Sequence, residues 1–294
     1  MRHPSSKLSF LTPAEIHRAV RAALAEDLGT GDVTTLATVP ANATSVALMN
    51  AREPLTVAGL AFAEEAFRQT MGKVGRNGLI RRTQDGARVA AGAELLRVEG
   101  PSRAILSAER VALNFVQRLS GVANATAQFV DAVKHSKARI LDTRKTTPGW
   151  RRFEKYAVKC GGGKNLRIGL FDMVLIKDNH LVALRDEKPN AIAAAVSRAR
   201  KKFPALKVEV EADTLAQVAQ AADAGADIIL LDNMPPKVLR AAVKIVAGRA
   251  LTEASGGVNL KTVGAIAATG VDYISVGAIT HSARAVDIGL DFKE

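Results

Sequence analysis

Cysteine is almost missing from this chain. Cys160 is the single example in 294 residues, which excludes a disulfide framework and any zinc site built on several thiolates. Aromatic residues are scarce too, at 4%. Proteins that hold single-stranded nucleic acid stack its bases on Phe, Tyr or Trp, and no ordered ladder of such residues runs among the basic ones here. No run of 18 uncharged apolar residues occurs, so nothing has the length of a transmembrane helix. The opening Met-Arg-His-Pro-Ser-Ser-Lys lacks the apolar centre of a secretory signal. These shortages predict a soluble cytoplasmic protein with no membrane partner.

What is plentiful is apolar surface and positive charge. With 48% hydrophobic residues the chain can bury one large core or two modest ones. A formal net charge of +12 suits nucleic acid, an anionic membrane or small polyanionic substrates, and charge alone does not choose among them.

The first third reads as mixed strands and helices, an α+β unit. Ile16, Ala19, Val20, Ala23 and Leu24 recur at helical spacing behind Thr12 as N-cap and Pro13 at the first helical position. Alternating runs at 45–51 and 95–99 read as strands and 60–70 as a helix. Turns are expected at Gly72, Gly75, Asn77-Gly78 and Asp85-Gly86. A long helix is expected from Ser102 to Leu119, with Ser120-Gly121 as a pause. From Arg139 onward β-branched runs alternate with alanine-rich helices, the pattern of a βα repeat and hence of a parallel sheet or barrel. Six strands are readable, at 140–141, 174–176, 208–210, 228–231, around 251 and at 273–276.

Charge is placed where these buried runs stop: at Asp142, Lys177-Asp178, Glu209 and Glu211, Asp232-Asn233, and Glu253 and Ser255. Strand C-termini carry the chemistry of α/β barrels, whereas a lone carboxylate there serves equally well as a helix N-cap. The stretch 142–167 holds eight Lys and Arg and a Gly-Gly-Gly run, the makings of an anion site. Ala254-Ser-Gly-Gly-Val and Ser275-Val-Gly-Ala offer backbone N–H groups ahead of helices, where barrels hold phosphate; a tight turn is the plainer alternative at Gly256-Gly257. Acids facing a polyanionic substrate make sense if a divalent cation bridges them to it, or if positive charge develops during reaction. A sugar diphosphate whose anomeric carbon becomes cationic meets both conditions.

Six segments, Glu26-Asp-Leu-Gly-Thr-Gly-Asp-Val-Thr-Thr35, Ser107 to Gly121, Asp142 to Gly149, Lys155 to Gly163, Leu175 to His180 and Ser275 to Thr280, resemble the quinolinate phosphoribosyltransferase family, in order and over nearly the whole chain. The resemblance implies an α/β fold of two domains: an N-terminal α/β sandwich over 1–118, completed by a C-terminal tail at 277–294, and an incomplete, about seven-stranded α/β barrel over 119–276. It implies transfer of phosphoribose from phosphoribosyl pyrophosphate to quinolinate, with loss of pyrophosphate and CO2, to give nicotinate mononucleotide for NAD biosynthesis. It assigns Arg110, Arg144, Arg167 and Lys177 to quinolinate. Lys145, Glu211 and Asp232 become catalytic groups, the two acids also holding Mg2+, directly or through water. Ser255, Gly256 and Gly277 take the 5-phosphate. It further implies a homodimer or higher homo-oligomer in which Arg110 reaches a neighbouring subunit's barrel mouth.

One position departs from the family. Where its members usually read Asn-His-Arg, this chain has Asn165-Leu166-Arg167, losing a donor to a substrate carboxylate. A related phosphoribosyltransferase with another acceptor is therefore a competing expectation. So are an aldolase-like Schiff base on Lys177 and, from charge alone, a basic nucleic-acid-binding module. The ordinary type I phosphoribosyltransferase pattern is disfavoured because Asp232 is followed by Asn233 rather than a second acid. His180 reads as a structural or helix-capping residue, His135 and His281 as surface or junction residues, and Cys160 as a small packing residue.

Overall fold

The computed structural model describes residues 11–72 and 78–293, so the turn expected at Gly75 and Asn77 lies outside the described residues. Strands run in chain order as β1 (Thr44–Ala51), β2 (Leu55–Thr56), β3 (Leu79–Arg81), β4 (Arg88–Val89), β5 (Glu94–Pro101), β6 (Arg139–Leu141), β7 (Val174–Ile176), β8 (Val208–Ala212), β9 (Ile228–Asp232), β10 (Leu251–Ser255), β11 (Tyr273–Ser275) and β12 (Ile288–Phe292). The chain divides into two compact units, one of residues 1–127, 152–162 and 282–294, the other of 128–151 and 163–281.

The first unit is built on a four-stranded antiparallel sheet ordered β12-β1-β5-β3. The C-terminal tail enters it as expected: β12 pairs with β1 from Ala47↔Phe292 to Ala51↔Ile288. The first helix, Pro13–Leu28, starts as the sequence indicates. Thr12 accepts the Glu15 N–H at 3.3 Å, and the Glu15 carboxylate accepts the Thr12 N–H at 2.9 Å. Helix Leu60–Met71 follows Gly59, which offers no side-chain cap. Asp85, far along the chain, takes over: it accepts N–H bonds from Gly59 at 3.1 Å and Leu60 at 3.2 Å, and the Tyr156 hydroxyl at 2.6 Å.

The expected pause at Ser120-Gly121 does not occur, and the helix runs unbroken from Ser102 to Ala132. Both residues serve packing. Ser120 Oγ accepts the Ala58 N–H at 2.9 Å and donates to the Ala58 carbonyl at 3.1 Å. A Cβ at position 121 would lie 2.0 Å from the Arg284 carbonyl oxygen, so glycine permits that backbone approach.

The second unit carries six parallel strands ordered β6-β11-β10-β9-β8-β7. Its first strand lies beside its last, as barrel closure requires, and a single parallel bridge from Leu141 to Lys164 starts a seventh segment on the other side of β6. Among the described residues no ladder joins that segment to β7, so the barrel is incomplete. Val208, Val210, Ile229, Leu231 and Ile274 are fully or almost fully buried in it.

The cationic stretch 142–167 does not bring all its charge to one anion site, because a helix spans Arg151–Cys160 and buries Glu154, Lys155, Tyr156, Ala157, Val158 and Cys160. Arg152, Lys155 and Lys159 thereby belong to the first unit. There Arg152 pairs with Glu15, and Lys155 is fully buried. No described helix is long and apolar enough to cross a membrane.

Candidate active site

Because all six barrel strands are parallel, their C-terminal ends share one rim, and most of the expected site residues stand on it. Lys177 directly follows β7, Glu211 lies near the end of β8, Asp232 ends β9 and Ser255 ends β10. Neighbouring registers bring them together: β8 pairs with β9, and Ser255 lies opposite Asp232. Lys177 Nζ donates to Glu211 Oε2 at 2.6 Å, joining two of the expected groups directly. Neither acid caps a helix, since Thr214 and Pro235 hold the N-cap positions after β8 and β9. The His180 imidazole accepts the Lys177 N–H at 2.9 Å, the helix-capping role expected of it.

Gly256 is demanded by geometry. Its φ is +94°, and a Cβ there would lie 2.1 Å from Asn233 Oδ1. Asn233 in turn donates its N–H to the Ser255 carbonyl at 2.9 Å and its side-chain amide to Asp232 at 2.6 Å, so Asp232, Asn233, Ser255 and Gly256 form one connected corner. Gly277 makes another. A Cβ at that position would lie 3.2 Å from Lys145 Cδ and 3.1 Å from His281 Nε2, so the lysine stem crosses a bare backbone. Thr280 Oγ1 donates to the Lys145 carbonyl at 2.7 Å and fixes this approach. His281, read from sequence as a junction residue, therefore borders the rim; only spatial adjacency to Gly277 reveals that.

Arg144 and Arg167 are also neighbours. Burial, followed by the charge of Arg144, weakens Arg167's hold on its proton, while Glu209 and Asp172 act the other way. Arg144 Nε is buried and makes no hydrogen bond among the described residues, a donor available to an anionic ligand. Arg110 is exposed on the helix Ser102–Ala132, in the first unit.

Glu209 and Glu253 differ from the rim acids with which the sequence grouped them. Both side chains are fully buried in the barrel, and neither carboxyl makes a well-formed hydrogen bond among the described residues. Burial and then the charge of Glu253 push Glu209 well above the ordinary carboxylate range. Burial raises Glu253 to about 7, against the lowering influence of Ser275 and Glu209. Two acids facing each other in a dry interior retain a proton near neutrality. The sign for stability follows: the unfolded glutamate ionises from about 4.5 while the folded one waits until about 7. The contribution of this buried pair to stability is therefore greatest in acid and is lost as pH rises through neutrality. Glu253→Gln should flatten this slope and raise the urea midpoint at pH 8; an unaltered pH profile would show that Glu253 ionises normally.

Cys160 is buried, and its thiol is pushed up to about 12 by burial and by Asp85, consistent with a packing role. A cavity of about 400 Å³ lies at the other ends of β9 and β10. The charges around it are already matched, Lys137 with Asp272 and Arg249 with Asp223.

No group of three or more metal-ligating side chains occurs among the described residues. The rim supplies two carboxylates, Glu211 and Asp232, on adjacent strands. Mg2+ is commonly held by one or two carboxylates together with substrate phosphates, so this donor set fits an ion that arrives with a diphosphate.

Comparison with known proteins bears on the whole chain. Residues 32–120 match the family model described as quinolinate phosphoribosyl transferase, N-terminal domain, and residues 122–291 match that of its C-terminal domain. A Mycobacterium leprae protein named nicotinate-nucleotide pyrophosphorylase [carboxylating] is 45% identical over 92% of this chain and 95% of its own. A Bacillus subtilis protein named as a probable enzyme of the same kind is 40% identical over 90% and 89%. The solved nicotinate-nucleotide pyrophosphorylase of Francisella tularensis superposes with a TM-score of 0.90 at 40% identity, covering 99% of this chain and all of that one.

Proposed function

Since the chain belongs to the quinolinate phosphoribosyltransferase family, we infer from the rim geometry how its residues divide the work. The protein is a pentosyltransferase of NAD biosynthesis. It joins quinolinate to phosphoribosyl pyrophosphate and releases pyrophosphate and CO2, giving nicotinate mononucleotide.

Arg144 and Arg167 hold the two carboxylates of quinolinate and present the ring nitrogen to the anomeric carbon of the ribose. Holding both reactants in line converts a two-body encounter into a local step. As the bond from anomeric carbon to pyrophosphate oxygen breaks, positive charge grows on the sugar. Glu211 and Asp232 stabilise it, and Lys145 absorbs negative charge on the departing diphosphate, while Lys177 stands with the two arginines at the quinolinate carboxylates. When bound, Mg2+ supplies further positive charge to that leaving group. Ser255, Gly256 and Gly277 hold the 5-phosphate through backbone N–H groups and the Ser255 hydroxyl. After the nitrogen–carbon bond forms, the 2-carboxylate departs as CO2, the electron pair it leaves on ring carbon 2 is stabilised by the adjacent cationic nitrogen, and that carbon then takes up a proton to give the product. The protein's part there is to orient that carboxylate and exclude water.

The observation that carries this reading is the pairing of a buried, unmet Arg144 donor beside Arg167 with two uncapped acids on the same unit's strand ends. The test is to supply the protein with Mg2+, phosphoribosyl pyrophosphate and a panel of pyridine carboxylates, and to follow CO2 and nicotinate mononucleotide. Quinolinate should be the preferred acceptor; a strong preference for nicotinate would overturn the assignment, and Leu166 would be the place to look for the reason.

The working form is a homodimer or higher homo-oligomer of the cytoplasm, with Arg110 of one subunit completing the site of another. Arg110→Ala and Arg144→Ala proteins, each nearly inactive, should recover part of the activity when mixed, because one site per mixed dimer is then intact. Verified mixed dimers without recovery would place Arg110 outside the shared site.

A further inference from the structure

We propose that Asp142 and Arg151 are positioning residues, a two-point brace that sets the gap between the Arg144 and Arg167 guanidinium groups and so selects acceptors with carboxylates on adjacent ring atoms. The proposal rests on the reading of this rim as a quinolinate site. Neither residue needs to touch the substrate.

Asp142 is fully buried at the end of β6. One carboxylate oxygen accepts the Leu166 N–H at 3.0 Å and the other accepts the Asn165 side-chain amide at 2.6 Å. Two residues further along the same strand exit stands Arg144. The carboxylate that ends the strand bearing one arginine thus fastens the backbone just before the other. Arg151 repeats the link from the opposite side. Its guanidinium donates to the Ile168 carbonyl at 3.1 Å, to Thr146 Oγ1 at 3.1 Å and to the Arg144 carbonyl at 3.4 Å. Asp172 adds a third fixture by accepting the Ile168 and Gly169 N–H groups at 2.8 and 2.9 Å.

Arg167 therefore sits between two pinned residues, Leu166 and Ile168, and Arg144 is pinned to the same frame. The need for this is electrostatic. Two guanidinium groups close enough for Arg144 to add to burial in loosening Arg167's proton repel each other, and an unbraced loop would relax by drifting apart. A forked contact to a carboxylate tolerates little drift, since a displacement of about 1 Å can cost a hundred-fold in rate.

Arg151→Lys and Asp142→Asn test this in the full-length protein. Lysine keeps the charge but cannot span three acceptors, and asparagine keeps the shape but loses the charge that grips two donors. Calorimetry with benzene-1,2-dicarboxylate and benzene-1,3-dicarboxylate reads carboxylate spacing without turnover. Each variant should bind the 1,2-isomer on the order of ten-fold to a hundred-fold less tightly and the 1,3-isomer about as before, so that the preference collapses. KM for quinolinate should rise in step while KM for phosphoribosyl pyrophosphate and the melting temperature hold. Should Asp142→Asn fail to fold, Arg151→Lys decides alone. A preference for the 1,2-isomer that survives in the folded variants, or equal loss of both isomers, overturns the brace while leaving the site reading intact. Wild-type protein with no preference for the 1,2-isomer overturns both.

Discussion

Arg167→Ala lowers kcat/KM for quinolinate by roughly a hundred- to ten-thousand-fold, because a forked contact to a carboxylate comprises two charge-assisted hydrogen bonds of about 1.5–3 kcal/mol each. The loss should fall on KM for quinolinate first, with KM for phosphoribosyl pyrophosphate nearly unchanged, if this arginine serves the diacid and not the sugar as proposed. Arg144 has a second reason to matter. Its buried Nε has no acceptor among the described residues, so a substrate carboxylate that reaches it, as proposed, would satisfy a desolvated donor. Arg167→Lys should rescue little, because an ammonium restores the charge without the planar fork. Steady-state kinetics with each substrate varied in turn separates these outcomes. Equal rises in both KM values would move Arg167 away from the diacid.

Asp232→Asn should lower kcat by about a hundred- to a thousand-fold with KM for quinolinate hardly altered, the size expected when one preorganised electrostatic partner of a transition state is removed. Asp232 is held by the Asn233 amide at 2.6 Å and lies opposite Ser255 in the sheet, so the isosteric change disturbs little besides charge. Glu211→Gln should act similarly, and it also releases Lys177 from its 2.6 Å contact. Residues in direct contact are not additive, so Lys177→Met combined with Glu211→Gln should cost less than the sum of the two. A magnesium titration of Asp232→Asn should show a weaker half-saturation if this acid holds the ion. Retention of kcat within a few-fold in both acid variants would remove them from the chemistry.

The site was legible to the extent that its residues sit at the ends of periodic elements. Lys177, Asp232 and Ser255 each follow or close a short apolar run, and a polar group that interrupts such a run marks a strand end whatever the tertiary arrangement. Glu209 and Glu253 show where this fails. They occur in the same alternating runs as Glu211 and Ser255, and no local feature separates a rim acid from one buried two residues earlier. Depth along a strand depends on the register of its neighbours, a non-local quantity. The helix Arg151–Cys160 is a different kind of miss. Phe153, Tyr156, Ala157 and Cys160 follow helical spacing, but the interleaved Arg151, Arg152, Lys155 and Lys159 mask that period. Ser120-Gly121 failed for the reverse reason: residues that end helices locally were retained inside one because each meets a distant backbone group.

The amino-acid sequence by itself determined the order of the barrel strands, the parallel character of the second unit and, through six motifs, the family, whose resemblance implied the entry of the C-terminal tail into the first unit. These follow from side-chain periodicity and short motifs, which act over a few residues. Only the tertiary structure decided which cations meet, namely Lys177 with Glu211, Lys145 with Gly277 and Arg144 with Arg167, and which instead serve the other unit. It also decided that Asp142 and Arg151 tie the segments bearing the two arginines to one frame. Such meetings depend on strand registers and on where the chain turns back, and those are fixed by the packing of the whole core rather than by any segment of it.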